Sequence, residues 1–235
     1  MRIVGLIGGM SWESSSEYYR VINEVTRDRL GPLYSAQSLM YTVNFHDVEQ
    51  MQHAERWDDA AAVLVDAAER LERGGADCVV ICTNTMHKLA DQVQAAVEIP
   101  LIHIADATAK KVQAEGIKRV GLLGTAFTME QSFYKGRLTE RFGLEVIVPE
   151  ASKRHLVHRV IYDELCQGEM LADSKVQFVE TINELVKNGA EGIILGCTEI
   201  MLLVDQNDSP VPVFDTTTLH AEAAVDFALE GVYVS

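Results

Sequence analysis

Short apolar runs rich in β-branched residues alternate along this chain with longer stretches whose apolar positions recur every three or four residues. The runs cover residues 3–7, 39–43, 78–81, 101–104, 120–123, 145–148, 192–195 and 211–214. Most are apolar at consecutive positions, which predicts strands covered on both faces. Their alternation with helical stretches predicts an α/β protein with parallel sheets. Helices are predicted over residues 14–29, 57–73, 87–97, 105–115, 129–142, 154–167, 172–188 and 219–229. Glycines close several of them, as in Arg73-Gly74-Gly75 and Asn188-Gly189, where a left-handed residue ends the last turn.

The pattern repeats within the chain. Val4-Gly5-Leu6-Ile7-Gly8 is similar to Val120-Gly121-Leu122-Leu123-Gly124. Gly75-Ala76-Asp77-Cys78-Val79-Val80-Ile81-Cys82-Thr83 is similar, at nearly the same offset, to the segment from Gly189 to Thr198. Two matches in the same order predict two similar α/β lobes. In such a pair, a site is expected in the cleft between lobes, at the C-terminal ends of strands from both.

Composition narrows the class. Hydrophobic residues make up 48% and charged residues 23%, the balance of a chain with a packed core. The net charge is −15, and a surface this acidic repels phosphate backbones, so no nucleic-acid partner is expected. No apolar run approaches the ~20 residues of a membrane span, so no membrane partner is expected either. The N-terminus runs straight into a strand without a signal-peptide pattern, which leads us to expect a cytoplasmic protein. Cys78, Cys82, Cys166 and Cys197 are then expected as thiols. Cys78 and Cys82 lack a second ligand pair, so no metal is expected.

Three segments carry candidate chemistry. Gly8-Gly9-Met10-Ser11 joins the first strand to a helix; it reads either as an anion-holding turn or as a glycine-lined connection. It lacks the order of a dinucleotide fingerprint. Gly196-Cys197-Thr198-Glu199 places a cysteine just past a strand, where a thiolate is stabilised by helical N–H groups. The alternative is a small core residue. Cys82-Thr83-Asn84-Thr85-Met86-His87 follows the matching strand of the first lobe, with side chains able to bind a carboxylate. His87 reads there as a helix-start or supporting group. Groups facing each other from two lobes can take a proton from one face of a carbon and return it to the other.

Together with Gly124-Thr125, Thr128 and the closing Pro212-Val213-Phe214-Asp215, these motifs resemble the aspartate/glutamate racemase family, within the Asp/Glu/hydantoin racemase superfamily, over essentially the whole chain. The resemblance implies two pseudo-symmetric parallel-sheet α/β lobes, a cleft between them, a homodimer, and an amino acid, dicarboxylic by preference, as substrate. It implies α-proton exchange by a pair of thiols without pyridoxal phosphate, so no cofactor is expected. We expect residues 1–100 with 206–235 to form the first lobe and residues 101–205 the second.

The chain departs from the family pattern in two places. The usual first motif reads Pro-Cys-Asn-Thr-Ala-His; aligning Asn84, Thr85 and His87 puts Thr83 at the cysteine and Cys82 at the proline. The internal repeat alone permits the other register, with Cys82 opposite Cys197. A one-residue shift on a strand reverses the face a side chain points to, so the choice decides the chemistry. The family's cations for the side-chain carboxylate are also missing: residues 44–52 hold no Arg or Lys, and the second-lobe Lys position falls at or near Cys166. Gln52, His53 or Arg56 would have to serve.

On this reading Cys197 is the thiol base toward the L enantiomer and Thr83 occupies the opposite face. Asn84, Thr85 and Thr198 bind the α-carboxylate, while Met10, Gln52, Thr125 and Thr128 shape the pocket. Glu199 holds the α-ammonium or orients its neighbours. Two rivals remain: a lone-cysteine malonate-type decarboxylase of the same superfamily, and a non-catalytic amino-acid binding protein.

Overall fold

The computed structural model describes residues 1–232, and the chain forms two units. One comprises Met1–His103 together with the chain from His220 onward; the other is Ile104–Leu219. The first runs β1 (Val4–Gly8), α1 (Trp12–Leu30), β2 (Ser38–Thr42), α2 (Phe45–His53), α3 (Trp57–Arg73), β3 (Cys78–Ile81), a 3-10 turn (Thr85–Leu89) and α4 (Ala90–Ala96). The second runs α5 (Ile104–Ala114), β4 (Arg119–Gly124), α6 (Ala126–Glu130), α7 (Ser132–Phe142), β5 (Glu145–Ile147), α8 (Ala151–Asp163), α9 (Ala172–Lys187), β6 (Gly192–Gly196) and β7 (Val213–Asp215). A last helix, α10 (Thr216–Leu229), begins in the second unit and continues into the first.

Both sheets are parallel throughout. The first has the order β2-β1-β3 and the second β5-β4-β6-β7, so the repeated β1 and β4 motifs occupy equivalent inner positions. In the first unit the period-two alternation of strands divides the apolar residues between two cores. Ile7, Val79 and Ile81 pack with Ala60, Leu64, Ala67, Ala68 and Leu71 of α3. Val4, Leu6, Cys78, Val80 and Cys82 pack with Tyr18, Val21 and Ile22 of α1 and with Ala221, Ala224, Val225 and Ala228 of α10. The second unit buries one continuous core, in which Leu122, Leu123, Ile193, Ile194, Tyr134 and Phe178 are fully enclosed.

The sequence and the structure differ at several boundaries. Residues 101–104, read as a strand, contribute only a bridge from Leu101 to Val79. Pro100 has no N–H to extend the ladder, and Ile104 already starts α5. The helix expected over 129–142 is broken at Gln131, whose backbone is extended (φ −84°, ψ 157°). Residues 206–219, expected with the first lobe, belong to the second unit, because β7 hydrogen-bonds to β6 through Ile193–Val213 and its neighbours. Among the described residues no helix is long and apolar enough to cross a membrane.

The β1–α1 connection is tightly built. Gly9 has φ +92°, and a Cβ there would lie 2.2 Å from the Val43 carbonyl oxygen. Its N–H donates to Ser15 Oγ at 2.7 Å, and that hydroxyl donates onward to the Ser11 carbonyl. Ser11 then caps α1 by accepting the Ser14 N–H. The Gly9 N–H is therefore used within the turn, as a glycine-lined connection requires.

Candidate active site

In each unit the candidate residues follow neighbouring strands at their C-terminal ends, where parallel sheets present ligand-binding groups. In the second unit Thr125 follows β4 and Cys197 follows β6, and these strands pair through Gly124 and Gly196. The lack of side chains at that pair lets Thr128 sit close: a Cβ on Gly196 would lie 3.4 Å from its methyl group. Thr125 caps α6 by accepting the Thr128 N–H at 3.3 Å, and the two hydroxyls lie 3.2 Å apart.

Beside them lies a thiol–carboxylate pair. Cys197 Sγ donates to Glu199 Oε2 at 2.9 Å, and Thr198 Oγ1 donates to the same oxygen at 3.0 Å. All three residues are buried, Cys197 keeping 7% exposure and Glu199 1%. Burial pushes the Cys197 thiol well above its ordinary range, and the negative charge of Glu199 adds to the effect. The resting thiol therefore keeps its proton and points it at a carboxylate. Thr217 Oγ1 donates to the Thr198 carbonyl and Thr216 Oγ1 to the Leu195 carbonyl, so the start of α10 fixes the backbone on both sides of Cys197.

In the first unit Met10 follows β1 and Thr83 follows β3. Cys82 is fully buried in the apolar core with Tyr18 and Ile22, and burial alone pushes its thiol far up. Thr83 retains 7% exposure. Asn84 and Thr85 continue into the 3-10 turn, and both are buried. Gln52 reaches this segment from α2, its Nε2 lying 3.0 Å from Met86 Sδ. His53 and Arg56, the basic residues nearest to it in sequence, are engaged elsewhere. His53 meets Glu49 at 3.1 Å and Arg56 meets Asp59 at 3.2 Å, Glu49 being half-buried and the other three exposed.

Other residues take supporting places. Cys166 lies on a 3-10 turn (Leu165–Gln167), partly buried against the core of the second unit. Trp12 is 68% exposed. His158, which sequence reasoning left aside, accepts the Ala126 N–H at 3.1 Å, and its ring meets Phe127 and Tyr162. His87, His103 and His220, scattered in sequence, gather in the first unit. No periodicity signals such a cluster, because its members come from three different segments. Among the described residues no group of His, Cys, Asp and Glu is arranged to hold a metal ion.

Comparison with known proteins agrees with this fold. The family model described as Asp/Glu/Hydantoin racemase matches residues 7–224. A crystal structure from Yersinia pestis, of a protein named for the Asp/Glu racemases, is 53% identical, with a TM-score of 0.90 over 97% of this chain and 100% of that one. An aspartate racemase homologue from Pyrococcus horikoshii is 35% identical, with a TM-score of 0.84 over 97% and 99% of the two chains. The broad specificity amino-acid racemase RacX of Bacillus subtilis is 24% identical over 95% of this chain and 96% of its own.

Proposed function

The chain belongs to the Asp/Glu/hydantoin racemase family, and from that premise we propose that it is a cofactor-independent amino-acid racemase acting on aspartate, glutamate or both. Cys197 is the base toward the L enantiomer, and Thr83 serves the opposite face. The observation that carries this reading is the buried Cys197–Glu199 pair.

A thiol removes an α-proton only as thiolate. Glu199 both holds the Cys197 proton and provides the acceptor for it, but the buried thiol gives that proton up reluctantly. The α-ammonium of an amino acid placed beside the Cys197 sulfur stabilises the thiolate and offsets that cost. The thiol proton then passes to Glu199, and the thiolate takes the α-proton. Asn84 and Thr85 supply neutral donors for the α-carboxylate, and Thr198 joins them as its hydroxyl turns from Glu199. Thr83 is a far weaker acid than a thiol, so its hydroxyl acts by orienting a water or relaying a proton. The return of the proton on that face is the slower half of the reaction, and α-proton exchange outruns inversion. Gln52, buried beside Met86, is the residue that meets the substrate side chain, and its amide suits a neutral amide as well as a carboxylate.

Proton NMR in D₂O with L-aspartate, L-glutamate and other L-amino acids tests the reading, with chiral analysis of the same samples. We predict loss of one α-proton signal, and a fall of about 10²–10⁴-fold in that exchange for Cys197→Ala. Undiminished exchange in the variant eliminates Cys197 as the base. Thr83→Cys is predicted to speed inversion, and no gain favours the register in which Cys82 faces the substrate. Carbon dioxide release from a substituted malonate, with every α-proton intact, marks the decarboxylase instead.

A further inference from the structure

We infer that His87 is a positioning residue for Thr83, held in place by a buried stack of histidines and a tyrosine in the first unit. The inference rests on Thr83 serving the face opposite Cys197, as proposed above.

The chain leaves the sheet at Thr83. Cys82 N–H still bonds to the Ile7 carbonyl at 3.0 Å, but the Thr83 N–H turns back on its own strand, to the Ile81 carbonyl at 2.8 Å. The Thr83 carbonyl is met by His87 Nδ1 at 2.7 Å. A carbonyl only accepts, so Nδ1 carries the proton, which defines the imidazole tautomer. Both backbone groups of Thr83 are thereby tied, and with them the direction of its Cα–Cβ bond. One of the two ties is a side chain four residues further on.

That side chain is itself confined. The His87 ring lies 4.5 Å from the His103 ring and 5.4 Å from the His220 ring, centroid to centroid. His220 Nε2 donates to the Ile102 carbonyl at 2.6 Å, which leaves Nδ1 to accept from the Tyr18 hydroxyl at 2.8 Å. Tyr18 comes from α1, His220 from α10 and His103 from the segment after the Leu101 bridge. All four rings are buried. Three separate elements thus converge to fix one imidazole, whose Nδ1 proton lands on the residue that replaces the family's first thiol. A packing role alone needs no such donor, and an apolar ring would fill the same space.

The test separates the two halves of the reaction. His87→Ala is predicted to lower inversion of the L substrate by about 10–100-fold, as expected when a reacting group is displaced by a fraction of an ångström to an ångström. Exchange of the α-proton on the Cys197 side should stay within about threefold of wild type. His87→Asn, whose amide nitrogen takes the place of Nδ1, should restore inversion, whereas His87→Gln should not. In a Thr83→Ala background, His87→Ala should cost nothing further. Exchange and inversion falling together in His87→Ala, or an unchanged inversion rate, overturns the inference while leaving the racemase reading intact. Wild-type protein that exchanges no α-proton overturns both. If the alanine variant does not fold, the Asn and Gln variants decide: equal inversion rates in these two overturn the assignment, and retention by Asn alone supports it.

Discussion

At the scale of single residues, burial sets protonation. His220 is enclosed in the first unit, and burial pulls its pKa down to about 4, against an ordinary 6.5; the bond from Nε2 to the Ile102 carbonyl only partly opposes this. The folded protein therefore refuses a proton that the unfolded chain binds below pH 6.5. The stability gained from a neutral His220 is complete above that pH, declines as pH falls, and is gone near pH 4. The difference between pH 7 and pH 4.5 is about 2–3 kcal/mol for this one group. We predict that His220→Gln, which keeps a donor for Ile102, flattens the pH dependence of urea unfolding by that amount relative to wild type. Equal pH dependence in the two proteins would show that His220 is free to protonate in the folded state. The Cys197 thiol follows the same physics, with a carboxylate beside it that raises the thiol further instead of relieving it.

At the scale of elements, the strands carrying the site are built around absent side chains. A Cβ on Gly196 would lie 2.6 Å from Leu122 Cδ1 and 2.9 Å from the Leu123 carbonyl oxygen; the first can move, whereas the second is backbone in the same sheet. Gly196→Ala is predicted to cost about 1–3 kcal/mol by forcing β4 and β6 apart, measured by denaturant midpoint, and to slow α-proton exchange through the adjoining Cys197. Much of this level was legible in advance. Consecutive apolar positions in Val4–Gly8 and Gly192–Gly196 marked two-faced strands, and both are fully buried. Leu101–Ile104 misled because an apolar run reads alike whether it pairs along its length or touches the sheet once before a helix. Cys197 and Glu199 were legible as neighbours in sequence, but the direction of the bond between them was not. The choice of Thr83 over Cys82 rested on the family motif around Asn84, Thr85 and His87 and not on the strand pattern, since adjacent positions on a strand differ only in the face they take. The histidine stack was invisible, because its members meet only after the chain has folded.

At the scale of the whole molecule, charge is the dominant property. With a net charge of −15, the surface repels dicarboxylic amino acids more than neutral ones during approach. Raising ionic strength from ~10 mM to ~150 mM shortens the reach of that field from ~30 Å to ~8 Å. For an acidic substrate we predict that kcat/KM rises about two- to threefold over this range, with little change for a neutral amino acid. A fall with salt would reveal a local cluster of donors that outweighs the global charge.

The first unit is not continuous in sequence: its sheet lies within the first 103 residues, but one of its two faces is covered by α1 together with Ala221, Ala224, Val225 and Ala228 of α10. The second unit is a single uninterrupted stretch, Ile104–Leu219. A ribosome therefore delivers every residue of the second unit before the covering helix of the first is available. During synthesis Val4, Leu6, Cys78 and Val80 wait with α1 alone over them, while the later-made unit is free to complete itself. The order of birth along the chain and the order of completion are then reversed. In the interval between them part of that apolar face is open to solvent, and Tyr18 and His220, partners in the finished core, have yet to meet.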